Sequence, residues 1–301
     1  MDKNYKSGFV SIIGRPNVGK STLLNHLIGQ KIAITSSKPQ TTRVNMKGII
    51  TDEEKGQIVF VDTPGLHKPH HLLGEQLIKK SISSLSDIEI VLFIVDGTEE
   101  VGGGDRYIIE NVISKLNKPI FLLINKLDRV PKKEKSRFIQ QYTDLFEFTK
   151  VFQISAKHGE NIDQVIAGIF EVLPYGPLYY DPETITDTLT RDIVGEMIRE
   201  QLFRLLGDEI PHASAVLIES YKDNPTRNLT SIKANIYVER DSQKGIVIGK
   251  GASKIKEIGE NARKEIEAMI ENKVFLELQV KVMKDWRDNK RNLKRLGYIV
   301  D

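Results

Sequence analysis

The stretch Gly14-Arg15-Pro16-Asn17-Val18-Gly19-Lys20-Ser21 constrains the chain most, because it has the G-x-x-x-x-G-K-[S/T] spacing of a phosphate-cradling loop. The apolar run Phe9 to Ile13 predicts a short buried strand before it. Ser21 to Ile28 predicts a helix after it, with Leu23, Leu24 and Leu27 on the inner face. A loop between strand and helix can turn successive N–H groups and the positive end of the helix dipole toward a β-phosphate. Lys20 then neutralises β- and γ-phosphate oxygens, and the Ser21 hydroxyl is placed for Mg²⁺, which prefers oxygen ligands. Thr22 follows in the first helical turn.

The length of 301 residues predicts two domains, each large enough for its own core. Cysteine is absent, which excludes disulfides, thiolate metal sites and cysteine nucleophiles, and suits a reducing cytoplasm. The start, Met1 to Lys6, runs into the first strand without a signal-peptide apolar region, and no apolar run approaches the ~20 residues that span a bilayer. A soluble, cytoplasmic protein is expected. The formal net charge of +3, from 44 basic and 41 acidic residues, does not argue for a nucleic-acid partner by itself.

Lys31 to Val44 is polar, without helical or strand period, and reads as a mobile loop that presents a threonine to Mg²⁺ and the γ-phosphate. Thr42 is the first candidate and Thr41 the second. Met46 to Thr51 and Gln57 to Val61 predict two strands, the second ending in Asp62-Thr63-Pro64-Gly65. Asp62 can hold Mg²⁺ through water, and Gly65 can offer its N–H to the γ-phosphate. Leu66 occupies the position where Ras-like proteins carry a water-orienting glutamine, which predicts slow intrinsic hydrolysis. His67, His70 and His71 lack an evident fourth ligand nearby and read as solvated loop histidines rather than a metal site.

Helices over 72–85, 106–116, 133–148 and 162–173 alternate with strands over 89–95, 119–124 and 151–154, which predicts a doubly wound, mostly parallel sheet. The strand at 119–124 runs into Asn125-Lys126-Leu127-Asp128. The Asp128 carboxylate can accept from guanine N1–H and the 2-amino group, which adenine cannot offer. Lys126 can lie along the ring and Asn125 can tie this loop to the phosphate loop. The backbone of Ser155-Ala156-Lys157 can meet guanine O6. With these elements in order, residues 7 to about 173 resemble the translation-factor-related GTPases. Lys20, Asn17, Thr42 and Gly65 are the candidate catalytic residues; Ser21, Thr42 and Asp62 are the candidate Mg²⁺ ligands.

Pro174 to Pro182 reads as a stiff, extended connector, so the expected organisation is a nucleotide domain over 1–173, a linker over 174–182 and a second domain over 183–301. In that second domain a helix over 191–206 precedes strands over 213–221 and 231–239 and, after two helices, a strand over 275–282. Between the two helices lies Gly249-Lys250-Gly251-Ala252, followed by Lys254 and Lys256. Such a loop clamps the backbone of about four nucleotides in a KH domain. The order of elements resembles the type II, bacterial form of that domain, a smaller α+β unit after the α/β unit. One departure is Ala252, where KH loops carry a second glycine as G-x-x-G. The tail adds Lys281, Lys284, Arg287, Lys290, Arg291, Lys294 and Arg295 around Trp286, a pattern suited to phosphate contact and base stacking, though a solvated helical face looks similar.

A GTPase domain followed by a KH domain is similar to the Era GTPases, and Pro39-Gln40-Thr41-Thr42-Arg43 and Asp62 to Leu66 fit that family. The resemblance implies GTP and GDP with Mg²⁺, a monovalent cation such as K⁺ at Asn17, and a monomer. It also implies 16S rRNA near its 3′ end and the 30S subunit as partners, a role in 30S assembly, and weak association with the inner face of the membrane. The alternative is an RNA-binding or membrane-surface factor that keeps GTP as a structural ligand without significant turnover.

Overall fold

The computed structural model describes residues 5–36, 42–65, 71–207 and 209–299. Described residues gather into two compact units: 5–33, 42–65 and 77–187 in the first, and 34–36, 71–76 and those from Thr188 onward in the second.

In the first unit, strands β1 (Lys6–Ile13), β2 (Met46–Asp52), β3 (Gly56–Asp62), β4 (Ile90–Asp96), β5 (Ile120–Asn125) and β6 (Lys150–Gln153) form one sheet in the order β2-β3-β1-β4-β5-β6. Only β2 runs antiparallel to its neighbour; the other pairs are parallel. Every residue of β3, β4 and β5 is buried, as expected where helices cover both faces of a parallel sheet. The helices are α1 (Lys20–Ile28), α2 (Leu72–Ser83), of which Leu77 onward belongs to this unit, α3 (Gly103–Asn111), α4 (Lys132–Thr143) and α5 (Ile162–Val172). β1 lies between β3 and β4, so the connections leaving it diverge at its carboxyl end. Ligands of open α/β sheets bind at such a switch point, and the loop Gly14 to Gly19 starts there.

Helix α3 begins at Gly103, three residues before the start that apolar periodicity suggests. Asp105 caps it: its carboxylate accepts from the Gly102 N–H at 3.3 Å, which offsets the poor helix propensity of Gly103 and Gly104. The stiff segment 174–182 is also packed along the first unit. Ser7 donates to the Pro174 carbonyl at 3.1 Å, and Gly176 donates to the Tyr5 carbonyl at 2.9 Å. The fully buried Gln57 holds the next turn with its amide. Its Oε1 accepts from the Tyr179 and Tyr180 N–H groups at 2.8 and 3.0 Å, and its Nε2 donates to the Tyr180 carbonyl at 2.9 Å. The strap continues to Ile185, whose carbonyl accepts from Ile49 at 2.8 Å, and to Asp187, paired with Lys47 at 2.6 Å. Gln57→Leu leaves three backbone groups of the strap without these partners, so a loss of about 2–4 kcal/mol is expected in urea unfolding. A loss below about 0.5 kcal/mol would mean that the strap does not depend on this amide.

The second unit comprises α6 (Thr190–Leu205), β7 (Ala215–Asn224), β8 (Leu229–Val238), α7 (Asp241–Ile248), α8 (Ser253–Ile270), β9 (Lys273–Val282) and α9 (Lys290–Arg295). Its sheet runs β7-β8-β9, antiparallel then parallel. A parallel pair requires a crossover, and α7 with α8 supplies it between β8 and β9. Ile232, Ile236, Ile258, Ala262 and Ile266 are buried in the resulting core.

Candidate nucleotide and RNA sites

The phosphate loop is shaped by close backbone approach. A side chain at Gly14 would place its Cβ 2.3 Å from the Ile94 carbonyl oxygen; at Gly19, whose φ is +109°, it would lie 2.3 Å from the Asn125 amide nitrogen. Asn125 occupies that space for a reason: its Nδ2 donates to the Val18 carbonyl at 2.7 Å, and its Oδ1 accepts from the Ala156 N–H at 2.8 Å. One amide thus joins the phosphate loop to the 155–157 loop. Lys126, itself at φ +64°, donates to the Asn17 carbonyl at 2.9 Å and pairs with Asp96 at 2.6 Å. Burial alone would push the Asp96 carboxyl up, yet Lys126 and Thr98 hold it below the usual range. Asp96 was not singled out from the sequence, although it ends β4 as Asp62 ends β3.

Lys20 is buried, and its ammonium donates to the Gly14 and Arg15 carbonyls at 3.1 and 2.7 Å. Desolvation lowers its pKa to about 8, against the pull of Asp62. Ser21 Oγ donates to Asp62 Oδ2 at 2.7 Å, so the Thr42 hydroxyl, 3.0 Å away, donates to Ser21. Asp62 is fully buried, its Oδ1 has no partner, and burial raises its pKa to about 6 despite Lys20 and Ser21. Two hydroxyls and an orphaned carboxylate oxygen form the oxygen donor set that Mg²⁺ takes, so these residues fit the ion. Gly65 packs on Pro16, where a Cβ would lie 3.0 Å from the Pro16 ring. Thr41 and Leu66 lie outside the described residues.

Other predicted contact residues serve as framework. Val18 and Leu127 are buried, and the Thr63 hydroxyl donates to the Ile12 carbonyl at 2.9 Å beside Pro64. Arg15 directs its side chain to Asp105 and Glu99, so only its backbone belongs to the loop. Asp128 remains accessible, with one carboxylate oxygen 3.8 Å from His158 Nε2. Of the Ser155-Ala156-Lys157 N–H groups, two are engaged internally, by the Glu160 carbonyl at 3.3 Å and by Asn125. His67 and His70 lie outside the described residues, His71 faces Asp288 at 3.0 Å, and no metal-ligand cluster occurs among the described residues.

In the second unit, α7 and α8 meet at Gly249 to Ala252. Gly249 has φ +74°, and a Cβ there would lie 2.8 Å from the Lys254 nitrogen; Gly251 and Ala252 have φ +59° and +62°. Ala252 therefore takes the left-handed turn that the glycine of a KH loop takes freely, at a cost of about 1 kcal/mol. Ala252→Gly should leave thermal stability equal or raise it by up to about 1 kcal/mol; a loss above about 1 kcal/mol would show that the methyl group is needed. Lys250 and Lys256 are exposed, whereas Lys254 pairs with Glu257 at 2.9 Å.

Trp286 corrects the sequence reading. It is fully buried, its indole N–H donates to the Ala213 carbonyl at 2.9 Å, and its ring stacks on Tyr298 at 5.8 Å between centroids. It cannot stack on a base. Leu293 and Leu296 share the buried side of the tail, while Lys290, Arg291, Lys294 and Arg295 are exposed.

Residues 9–126 match the family model described as a 50S ribosome-binding GTPase, and residues 209–287 match that of a KH domain. The fold resembles the crystal structure of Era in complex with MgGDPNP and nucleotides 1506–1542 of 16S ribosomal RNA, at TM-score 0.95 and 38% identity over 98% of this chain and 100% of that one. It equally resembles the crystal structure of a point variant of Aquifex aeolicus Era bound to GDP.AlF4-, at TM-score 0.94 and 38% identity over the same shares. Fold and site define a P-loop GTPase joined to a KH domain. The chain belongs to the Era family.

Proposed function

We propose that this GTPase is a guanine-nucleotide switch that binds 16S rRNA near its 3′ end through the Gly249–Ala252 loop and acts in assembly of the 30S subunit. The observation that carries the nucleotide part is the convergence of Ser21, Thr42 and the orphaned Asp62 oxygen beside buried Lys20. When bound, Mg²⁺ neutralises phosphate oxygens. Lys20 leaves the Gly14 and Arg15 carbonyls for the phosphates, Gly65 offers its N–H to the γ-phosphate, and Asp128 reads the base. Thr42, already 3.0 Å from Ser21, would complete the oxygen set with the γ-phosphate, so its hold on the ion would report the triphosphate state.

Asn17, held at φ +66° with its carbonyl on Lys126, is the residue for a monovalent cation that offsets transition-state charge where no arginine finger does. Turnover in KCl should exceed that in NaCl at equal ionic strength by about tenfold or more; equal rates would remove the cation from the mechanism. Lys250 and Lys256 support the RNA part, since exposed cations beside a tight glycine loop act on phosphates. Crosslinking the protein to RNA in cells and sequencing the bound segments tests it. Enrichment of the 3′ end of 16S rRNA is expected; a spread over unrelated transcripts would overturn it.

A further inference from the structure

Arg15 is the second residue of the phosphate loop, and its side chain leaves the phosphates altogether. Its stem lies on Gly104, where a Cβ would come within 2.7 Å of Arg15 Cδ. Its Nε donates to Asp105 Oδ1 at 2.9 Å, and one terminal nitrogen pairs with the exposed Glu99 at 3.1 Å. Asp105 is fully buried and accepts two further bonds at Oδ2, from the Gly102 N–H at 3.3 Å and from the Tyr142 hydroxyl at 3.2 Å. A buried carboxylate requires its cation, and removing one partner of such a pair is costly. Asp105 is therefore a fixed post, 90 residues away in sequence, to which the phosphate loop is tied.

The loop has two arms, held differently. Val18 to Ser21 is fixed by Asn125 and by the start of α1. Arg15 to Asn17 faces Gly65 and is held by Arg15 on Asp105 and by Lys126 on the Asn17 carbonyl. Gly65 is the residue proposed above for the γ-phosphate, so the Arg15–Asn17 arm that packs on it is the arm on that side.

We infer that Arg15 is a positioning residue for hydrolysis: anchored on Asp105, it fixes the Arg15–Asn17 arm of the phosphate loop against Gly65 without touching the nucleotide. The inference rests on the GTPase assignment. It predicts a split between turnover and binding, because displacement of about 1 Å near reacting groups can cost up to about 100-fold in rate, while the remaining arm keeps affinity.

The test compares the full-length protein with Arg15→Met, which keeps the stem on Gly104, Arg15→Lys, which keeps a charge for Asp105, and Tyr142→Phe, which removes a different donor from the same carboxylate. GTP turnover, GDP affinity and thermal midpoint are measured for each. Arg15→Met should lower kcat about tenfold or more with GDP affinity within about threefold, Arg15→Lys should recover most of kcat, and Tyr142→Phe should lower the midpoint with kcat within about twofold. If Arg15→Met keeps wild-type kcat, or if its kcat, GDP affinity and midpoint fall in the proportion seen for Tyr142→Phe, the pair is structural and the inference fails. Absence of turnover in the unaltered protein would overturn the GTPase assignment beneath it, and the inference with it.

Discussion

Lys20→Ala should lower kcat/KM for GTP by about 10³-fold, because it removes a buried cation whose hydrogen bonds can be passed directly from protein to phosphate. Its ammonium lies on the Gly14 and Arg15 carbonyls, at 3.1 and 2.7 Å, inside the cradle. Its burial has already stripped its water, which also pulls its pKa down to about 8, so binding phosphate costs little further desolvation and gains a charge-assisted contact. Loss of such a contact in a water-excluded site costs about 3–4 kcal/mol, or two to three powers of ten. Single-turnover phosphate release checks it. A loss of less than tenfold would mean that Lys20 stays on the loop carbonyls during reaction.

Asp128→Asn should lower GTP affinity by about 10³-fold or more and move preference to xanthine nucleotides. A site built to accept two hydrogen bonds from guanine discriminates by about 10⁴–10⁵ when the pairing is lost, since the buried groups then face each other unpaired. The amide can donate to the 2-carbonyl of xanthine, which restores a pair. Asp128 is accessible enough to reach a base, and its carboxylate lies 3.8 Å from His158 Nε2. Titration with labelled GDP and xanthosine diphosphate is the check. Unchanged GTP preference in Asp128→Asn would move base reading to another residue.

Residues that act through short fixed spacings were legible in the sequence. Lys20 and Ser21 follow β1, and Asp62 and Asn125 end β3 and β5, at the places their chemistry requires, and the structure brings Ser21, Thr42 and Asp62 within hydrogen-bond reach. The tie from Asn125 to the phosphate loop was equally readable, and the same amide, which has both donors and an acceptor, also accepts from Ala156. Where meaning depends on distant partners, local pattern fails. Basic residues around Trp286 suggested an exposed aromatic, yet its hydrogen-bond partner, Ala213, lies 73 residues earlier. Leu293, Leu296 and Tyr298 gave the one local sign that this segment buries an apolar side. Arg15 looked like a loop residue because Asp105 is 90 positions away, and the packing of Pro174 to Pro182 was hidden because nothing in it reveals Gln57, more than 120 positions upstream. Gly103 and Gly104 hid the start of α3, whose cap comes from Asp105.

A switch of this kind should engage RNA according to the nucleotide it holds. Fluorescence anisotropy of a labelled RNA from the 3′ end of 16S rRNA, titrated with the full-length protein at several salt concentrations, measures that link. With a non-hydrolysable GTP analogue the affinity should exceed that with GDP by about fivefold or more, the lower end of ordinary coupling between sites. Lys250→Glu should weaken binding and flatten the salt dependence by about one phosphate contact. Equal affinity in both nucleotide states, with Lys250→Glu indistinguishable from the unaltered protein, would mean that the nucleotide does not govern RNA binding and that the RNA surface lies elsewhere.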